Sequence, residues 1–455
     1  MTHNGVVAAG GRLTDWISLG VLASSVPRDA VDEAVAAAGK GARRSDGKLP
    51  PHVLVYFAMA LALFAEEDYE EVATRLTETL ASWGCWDDSW SMPTSGGITQ
   101  ARQRLGPEPL ELLFDKVAEP VAGELTRGAF LRHWRLMAID GFELDVPDTP
   151  ANAAAFGVTQ GGNPQLRLLA LTECGTHALI DAVFDGVGKA SEQVLARRLL
   201  GSLGPGMLLL ADRNFPGYEL WGLAAATGAD LAWRIKKNLV FPPVKVLPDG
   251  SFHSIMRTPA ENVRHGLARA ADGTTRTEPF RLATTLLDHE QAPAAQVAAL
   301  YHQRWEIENS YGELKTRLRG ASFILRSRSP ELVRQELFAL LTVYQALCAL
   351  RTEAARTAGI DPDRISFTVT VRIARDHASC PAGPTPAGSS RARSQAIRDI
   401  LGDLLPPRRG RQCDRVKKPP KNTFASKKRD GIYPPGTVTY KIKVSRKASL
   451  PAGTP

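Results

Sequence analysis

Gly206-Met207-Leu208-Leu209-Leu210-Ala211-Asp212-Arg213-Asn214-Phe215 is a continuous apolar run that ends in an acid and then a loop. Buried-type residues precede the acid, so Asp212 falls at or near a strand end, where a side chain emerges from a sheet into a cleft. An Asp after a strand also serves as the N-cap of the next helix, so position alone does not assign it chemistry.

Working outward, residues 135–140 form a second short apolar run, and it too ends in an acid, Asp140, followed by Gly141. Strands are expected at 166–172 and 178–184 around a turn at Gly175, a helix at 191–203, a helix at 217–227 and a strand at 230–235. Strands first, then strands alternating with helices, indicate an α/β core. Residues 238–288 read as a β-rich insertion with turns at Pro248-Asp249-Gly250 and Asp272-Gly273. Long helices follow at 293–318 and 330–357. Upstream, the segment from Leu13 to Gly128 reads as mainly helical, opening one helix at Pro50-Pro51 and another near Ile98 that carries Arg102 and Arg104.

The bulk properties suit such an assembly. At 455 residues the chain is long enough for two or three domains, and 44% hydrophobic with 23% charged residues is a soluble, core-forming composition. The net charge of +8 favours polyanionic partners, nucleic acid first among them. Cys85, Cys174, Cys348, Cys380 and Cys413 are widely spaced and form no zinc or redox motif, which suits a reducing cytoplasm. No secretory signal or bilayer-length apolar run is expected. Residues 408–429 hold ten Lys or Arg against one acid, Asp414, in a tail expected to be partly disordered without a polyanion.

The 293–318 helix carries an informative spacing. Tyr301, Arg304, Glu308 and Lys315 lie three, four and seven residues apart. At ~100° per residue they fall within roughly 60° of arc, so one face presents a phenol, a guanidinium, a carboxylate and an ammonium. On the spacing alone, a solvated face with Arg304 paired to Glu308 is the favoured account of this pattern.

The order Tyr301-x2-Arg304-x3-Glu308-x6-Lys315 resembles the signature helix of the insertion element 4 family of transposases. Asp140-Gly141 with Val146-Pro147-Asp148-Thr149-Pro150 resembles that family's first-aspartate region, and Ala211-Asp212-Arg213-Asn214-Phe215 its second. Ile98 to Phe114, with Gln100 to Gly106 within it, resembles its N-terminal module. The resemblance spans about 13–375. It implies a ribonuclease H-like mixed sheet flanked by helices, with the β-rich insertion before the last catalytic helix. The expected division is a helical, DNA-binding domain at 1–128, a catalytic domain at 129–357, and a C-terminal region at 358–455.

It further implies that Asp140, Asp212 and Glu308 are catalytic and hold two Mg2+ ions, with Mn2+ able to substitute, for in-line phosphoryl transfer on DNA. Tyr301, Arg304 and Lys315 would contact the transposon end, with Arg213, Lys236 and Lys237 as further candidate DNA contacts. The partner would be double-stranded DNA, transposon ends and target alike, bound by a homodimer in the cytoplasm at the nucleoid. A ribonuclease H-like nuclease that cuts without joining, and a non-catalytic DNA-binding remnant, are the alternatives. Some relatives stack a flipped base on an aromatic in the insertion; Phe241, Phe252 and Phe280 are the residues available for that role.

Overall fold

Alternating side chains decide which face of the central sheet meets which helices. In the computed structural model the described residues are 17–42, 48–77, 91–158, 162–236, 239, 241–257, 264–274, 279–320, 324–379, 386–407, 417–418, 423–424 and 441–442. Five helices come first: α1 (Arg28–Ala37), α2 (Pro51–Leu63), α3 (Tyr69–Thr77), α4 (Ser95–Leu105) and α5 (Glu108–Val117). The sheet region follows with β1 (Phe130–Leu131), β2 (Trp134–Asp145), α6 (Pro150–Phe156), β3 (Gln165–Glu173), β4 (Leu179–Gly186), α7 (Glu192–Leu199), β5 (Met207–Ala211), α8 (Tyr218–Ala226) and β6 (Asp230–Ile235).

The insertion is β7 (Pro243–Val246), β8 (Phe252–Arg257), β9 (Arg264–Thr274) and β10 (Pro279–Thr284). The C-terminal half is helical: α9 (Ala294–Tyr301), α10 (Trp305–Gly312), α11 (Pro330–Thr357), α12 (Phe367–Ser379) and α13 (Pro386–Leu401). α13 lies in the C-terminal region expected at 358–455, ahead of the basic 408–429 tail.

The strand order is β4-β3-β2-β5-β6-β10-β9-β8-β7. β2, β5 and β6 run parallel, β3 and β4 add antiparallel on one side, and β10 pairs antiparallel with β6 on the other. This is the mixed ribonuclease H-like sheet expected, and the β-rich insertion extends its edge. Leu136, Ala138, Phe142 and Leu144 of β2 pack with Leu168, Leu208 and Leu210 beneath the helical layer that contains α2, α10 and α11. The intervening Met137, Ile139, Leu169, Leu171, Leu209 and Ala211 pack on the opposite face with α7 and α8. Asp140 belongs to the first series and so faces the helical layer.

α11 is capped by Ser329, whose side chain accepts from the Leu332 N–H, and is buried nearly all round, as a central helix must be. The N-terminal helices share its core, so Leu54, Tyr56 and Leu113 pack in the same cluster as Leu337 and Tyr344. Arg102, read from sequence as a cation of a DNA-binding module, is fully buried, and its Nε donates to Gln335 Oε1 of α11 at 2.8 Å. Arg104 is exposed. Among the described residues no helix is long and apolar enough to cross a membrane.

Candidate active site

β2 carries the first difference from the sequence reading. The apolar run 135–140 does not end the strand; β2 continues to Asp145, with Asp140 in its interior opposite Ala170 of β3. Phe142 and Leu144 remain inward-facing, so burial continues past the acid and pairing with β3 continues too. Gly141 lets β2 run close against β3: a Cβ there would lie 3.1 Å from Leu169 Cδ1. Asp212 does sit immediately after its strand, with Oδ1 accepting from the Asn214 N–H at 2.6 Å. Ile139 pairs with Ala211 across the parallel β2–β5 ladder, so the next residue on each strand is an acid, Asp140 on one and Asp212 on the other.

The third acid arrives from above. The predicted 293–318 helix is a composite: α9, a tight 3-10 turn at His302–Arg304, α10, and a π-helical segment at Glu313–Leu318. The uniform ~100° step therefore fails at both ends of the signature, and π segments concentrate at functional sites. Arg304 Nη1 lies 3.4 Å from Asp140 Oδ2, and its Nη2 lies 3.1 Å from Glu308 Oε1. The side chains open stepwise to solvent, from Arg304 at 12% through Asp140 at 22% to Glu308 at 37% exposed.

Burial pushes the Asp140 carboxyl up to about 6; its bond from the Gly141 N–H and the Arg304 guanidinium pull it down, while the charges of Asp212 and Glu308 add to the rise. Mutual repulsion among carboxylates in one place is what a cation would relieve.

The other signature residues divide. Tyr301 is buried, and its hydroxyl donates to the Ala211 carbonyl at 3.1 Å. It clamps the strand end that precedes Asp212 and does not face solvent as a phosphate contact would. Lys315, displaced by the π segment, lies over the Phe142 ring at 4.2 Å, with Glu143 and Asp145 as its charged neighbours. Burial lowers its pKa from the ordinary lysine value. Arg213 and Lys236 are exposed, one beside Asp212 and the other just past β6. Lys237 lies outside the described residues, as does most of the basic 408–429 tail. Phe241 is buried, and Phe252 packs against the same core.

Sequence reasoning missed a buried ionic network behind the helix. His177 Nδ1 is 2.9 Å from Glu313 Oε2, and its Nε2 is 2.9 Å from Glu306 Oε2 and 4.0 Å from Asp363 Oδ1. Burial pushes the ring toward neutrality and Arg351 opposes its charge, but the Glu313 carboxylate together with the hydrogen bonds to Glu306 and Glu313 outweighs both and lifts it to about 9. His177, Glu306 and Asp363 bring their ligand atoms close enough together to hold a metal ion, and without one the group is a buried ion-pair network. The sequence signal was faint: Glu306 and Glu313, seven apart, share a helix face.

Tyr311 was missed as well. Its hydroxyl donates to the Asp140 carbonyl, and its ring lies 4.5 Å from that of Phe142.

Comparison with known proteins identifies the family. Residues 16–115 match the family model for the insertion element 4 transposase N-terminal region, and 135–346 match the transposase DDE domain. The transposase InsG of insertion sequence element IS4 from Escherichia coli (strain K12) is 30% identical over 410 residues, covering 85% of this chain and 89% of InsG. InsZ of the same strain is 28% identical over 210 residues, 44% of this chain and 69% of InsZ. A cryo-EM structure of the piggyBac transposase synaptic complex with hairpin DNA aligns over 88% of this chain and 86% of its own, at 10% identity and a TM-score of 0.42. With a 30%-identical relative matched along most of both lengths, the chain belongs to the insertion element 4 family of DDE transposases, enzymes that cleave and transfer DNA.

Proposed function

We propose that the protein binds the terminal inverted repeats of its own insertion sequence as a homodimer, cleaves DNA at those ends and joins them to target DNA. The observation that carries this reading is the meeting of three acids from two parallel strands and one helix, with Arg304 bridging Asp140 and Glu308.

The donor set fits divalent metal ions. It is all carboxylate oxygen, the preference of Mg2+ and Mn2+, and a guanidinium already occupies the place between two acids where positive charge is needed. Asp140, Asp212 and Glu308 would hold two such ions. When bound, the ions supply Lewis acidity toward the phosphate and a nucleophile at neutral pH.

The chain's own residues do the positioning. Tyr301 fixes the Ala211 carbonyl, and with it the strand end that presents Asp212. Tyr311 and the β3 ladder hold the backbone of Asp140. Arg304 and Lys315, with Arg213, Lys236 and Lys237, neutralise the phosphates of the DNA end. The basic tail adds sequence-independent affinity.

An oligonucleotide carrying the element's end, incubated with the protein, Mg2+ and supercoiled target, tests the reading. Cleavage at the end followed by covalent joining is expected, along with loss of both on chelation. Cleavage without joining would leave a nuclease, and full activity in chelator would sink the metal assignment.

A further inference from the structure

We infer that His177 is the positioning residue for Glu308, clamping the two helical turns that flank it; this rests on Glu308 being catalytic as proposed above. His177 stands in the turn between β3 and β4 with φ +64°, a left-handed conformation that non-glycine residues adopt at a cost. Its backbone is fixed there from several sides. The His177 N–H donates to the Glu173 carbonyl at 2.9 Å, Cys348 Sγ donates to the His177 carbonyl at 3.6 Å, and Arg351 donates to the carbonyl of Thr176. Strain that is over-determined in this way serves to aim the ring.

The ring points at the helix that carries Glu308. Glu306 and Glu313 each accept from one ring nitrogen at 2.9 Å. At ~100° per residue these two acids share a face, while Glu308, two residues beyond Glu306, points about 200° away from it. The clamp therefore grips the back of the helix and turns Glu308 toward Arg304 and Asp140. Glu313 is itself braced by Arg351 Nη1 at 2.8 Å and by the Tyr344 hydroxyl at 3.1 Å, both on α11. Two carboxylate partners require protons on both ring nitrogens, so the ring acts as a doubly donating cation. The π segment begins at Glu313, so this contact also fixes where the helix departs from α geometry.

The test uses the full-length protein with Glu306→Gln and His177→Asn, asparagine being tolerant of positive φ. Ends are bound first, and single-turnover cleavage is then followed over a Mn2+ titration. Both variants are expected to slow cleavage of bound ends and raise the half-saturating Mn2+ concentration about 10- to 100-fold, the usual cost of losing a group that orients a ligand, with end affinity changed less than about twofold. In 15N-histidine-labelled protein the resonance missing from His177→Asn is expected to show both nitrogens protonated at pH 7. A merely structural role lowers stability and leaves the Mn2+ requirement of the folded fraction unmoved. If His177→Asn fails to fold, Glu306→Gln carries the test, since the Glu306 side chain is 13% exposed. Unchanged cleavage and Mn2+ dependence in folded Glu306→Gln, or a singly protonated ring, overturns the clamp. Wild-type cleavage by Glu308→Gln overturns the catalytic reading itself, and the clamp with it.

Discussion

Asp140 and Glu308 share one counter-charge: the two terminal nitrogens of Arg304 lie 3.4 Å from a carboxylate oxygen of the first and 3.1 Å from one of the second. These acids come from residues 168 positions apart, by subtraction of 140 from 308. Without a cation their proximity is repulsive, and burial of Asp140 sharpens the repulsion. The arrangement is costly for a merely structural core and suits a site that receives positive charge.

Asp140→Asn, Asp212→Asn and Glu308→Gln should each reduce end cleavage by about a thousandfold or more, and any pair should cost little more than one alone, because the acids act as a unit. Circular dichroism and end binding should stay near wild type. A gel-based cleavage assay checks this; any single variant that cleaves at the wild-type rate is removed from the triad.

Arg304→Ala should weaken binding of the DNA end and lower the log–log salt slope by about one, the signature of one lost phosphate contact. Were Arg304 only the internal counter-charge seen here, affinity and slope would stay constant while stability fell. Fluorescence anisotropy across a salt series separates the two outcomes.

Tyr301→Phe should destabilise the protein by about 1 kcal/mol, through loss of the hydrogen bond to the buried Ala211 carbonyl. End affinity should not change, since the hydroxyl faces the strand and not solvent. Chemical denaturation measures the first quantity. A fall in end affinity without a fall in stability would return the phenol to a phosphate-contacting role.

Much of this was legible in the sequence, for identifiable reasons. The run ending at Asp212 is apolar on both faces because β5 is central, and its strand boundary follows directly. The strand 230–235 and the β-rich insertion were legible on similar grounds. Asp140 was misplaced because an acid inside a strand looks like the strand's end; only the inward Phe142 and Leu144 beyond it reveal that β2 continues. The helix signature anticipated the pairing of Arg304 with Glu308 but not the place of Lys315, since a π segment leaves no mark in a spacing rule. His177 was invisible because its partners lie 129 and 136 residues away.

Stability should fall as pH rises from about 6.5 to about 9. The His177 ring is lifted to about 9 in the folded protein against an ordinary 6.5, so the folded state holds a proton that the unfolded state has lost across that window. The stabilisation is full below 6.5 and gone above 9. Thermal denaturation at half-unit pH steps should show this slope in wild type and lose it in His177→Gln. The same slope in both would place the titration elsewhere.

The N-terminal helices should not behave as an independent module. Arg102 is fully buried and donates to Gln335 at 2.8 Å, and the Gln335 amide donates back to the carbonyls of Arg102 and Gly106 at 3.0 and 2.7 Å. Removing that amide leaves a buried guanidinium and two buried carbonyls short of partners, whereas replacing an exposed linker contact would cost almost nothing. Gln335→Ala should therefore cost about 2–4 kcal/mol. Because Leu113 and Phe114 of α5 share one core with Leu337 and Phe338 of α11, the loss should appear as one cooperative transition at lower temperature. Two independent domains at 1–128 and 129–357 would instead give two calorimetric transitions, with Gln335→Ala moving at most one. Differential scanning calorimetry of wild type and Gln335→Ala decides the matter, and a split wild-type transition would favour separate domains at 1–128 and 129–357.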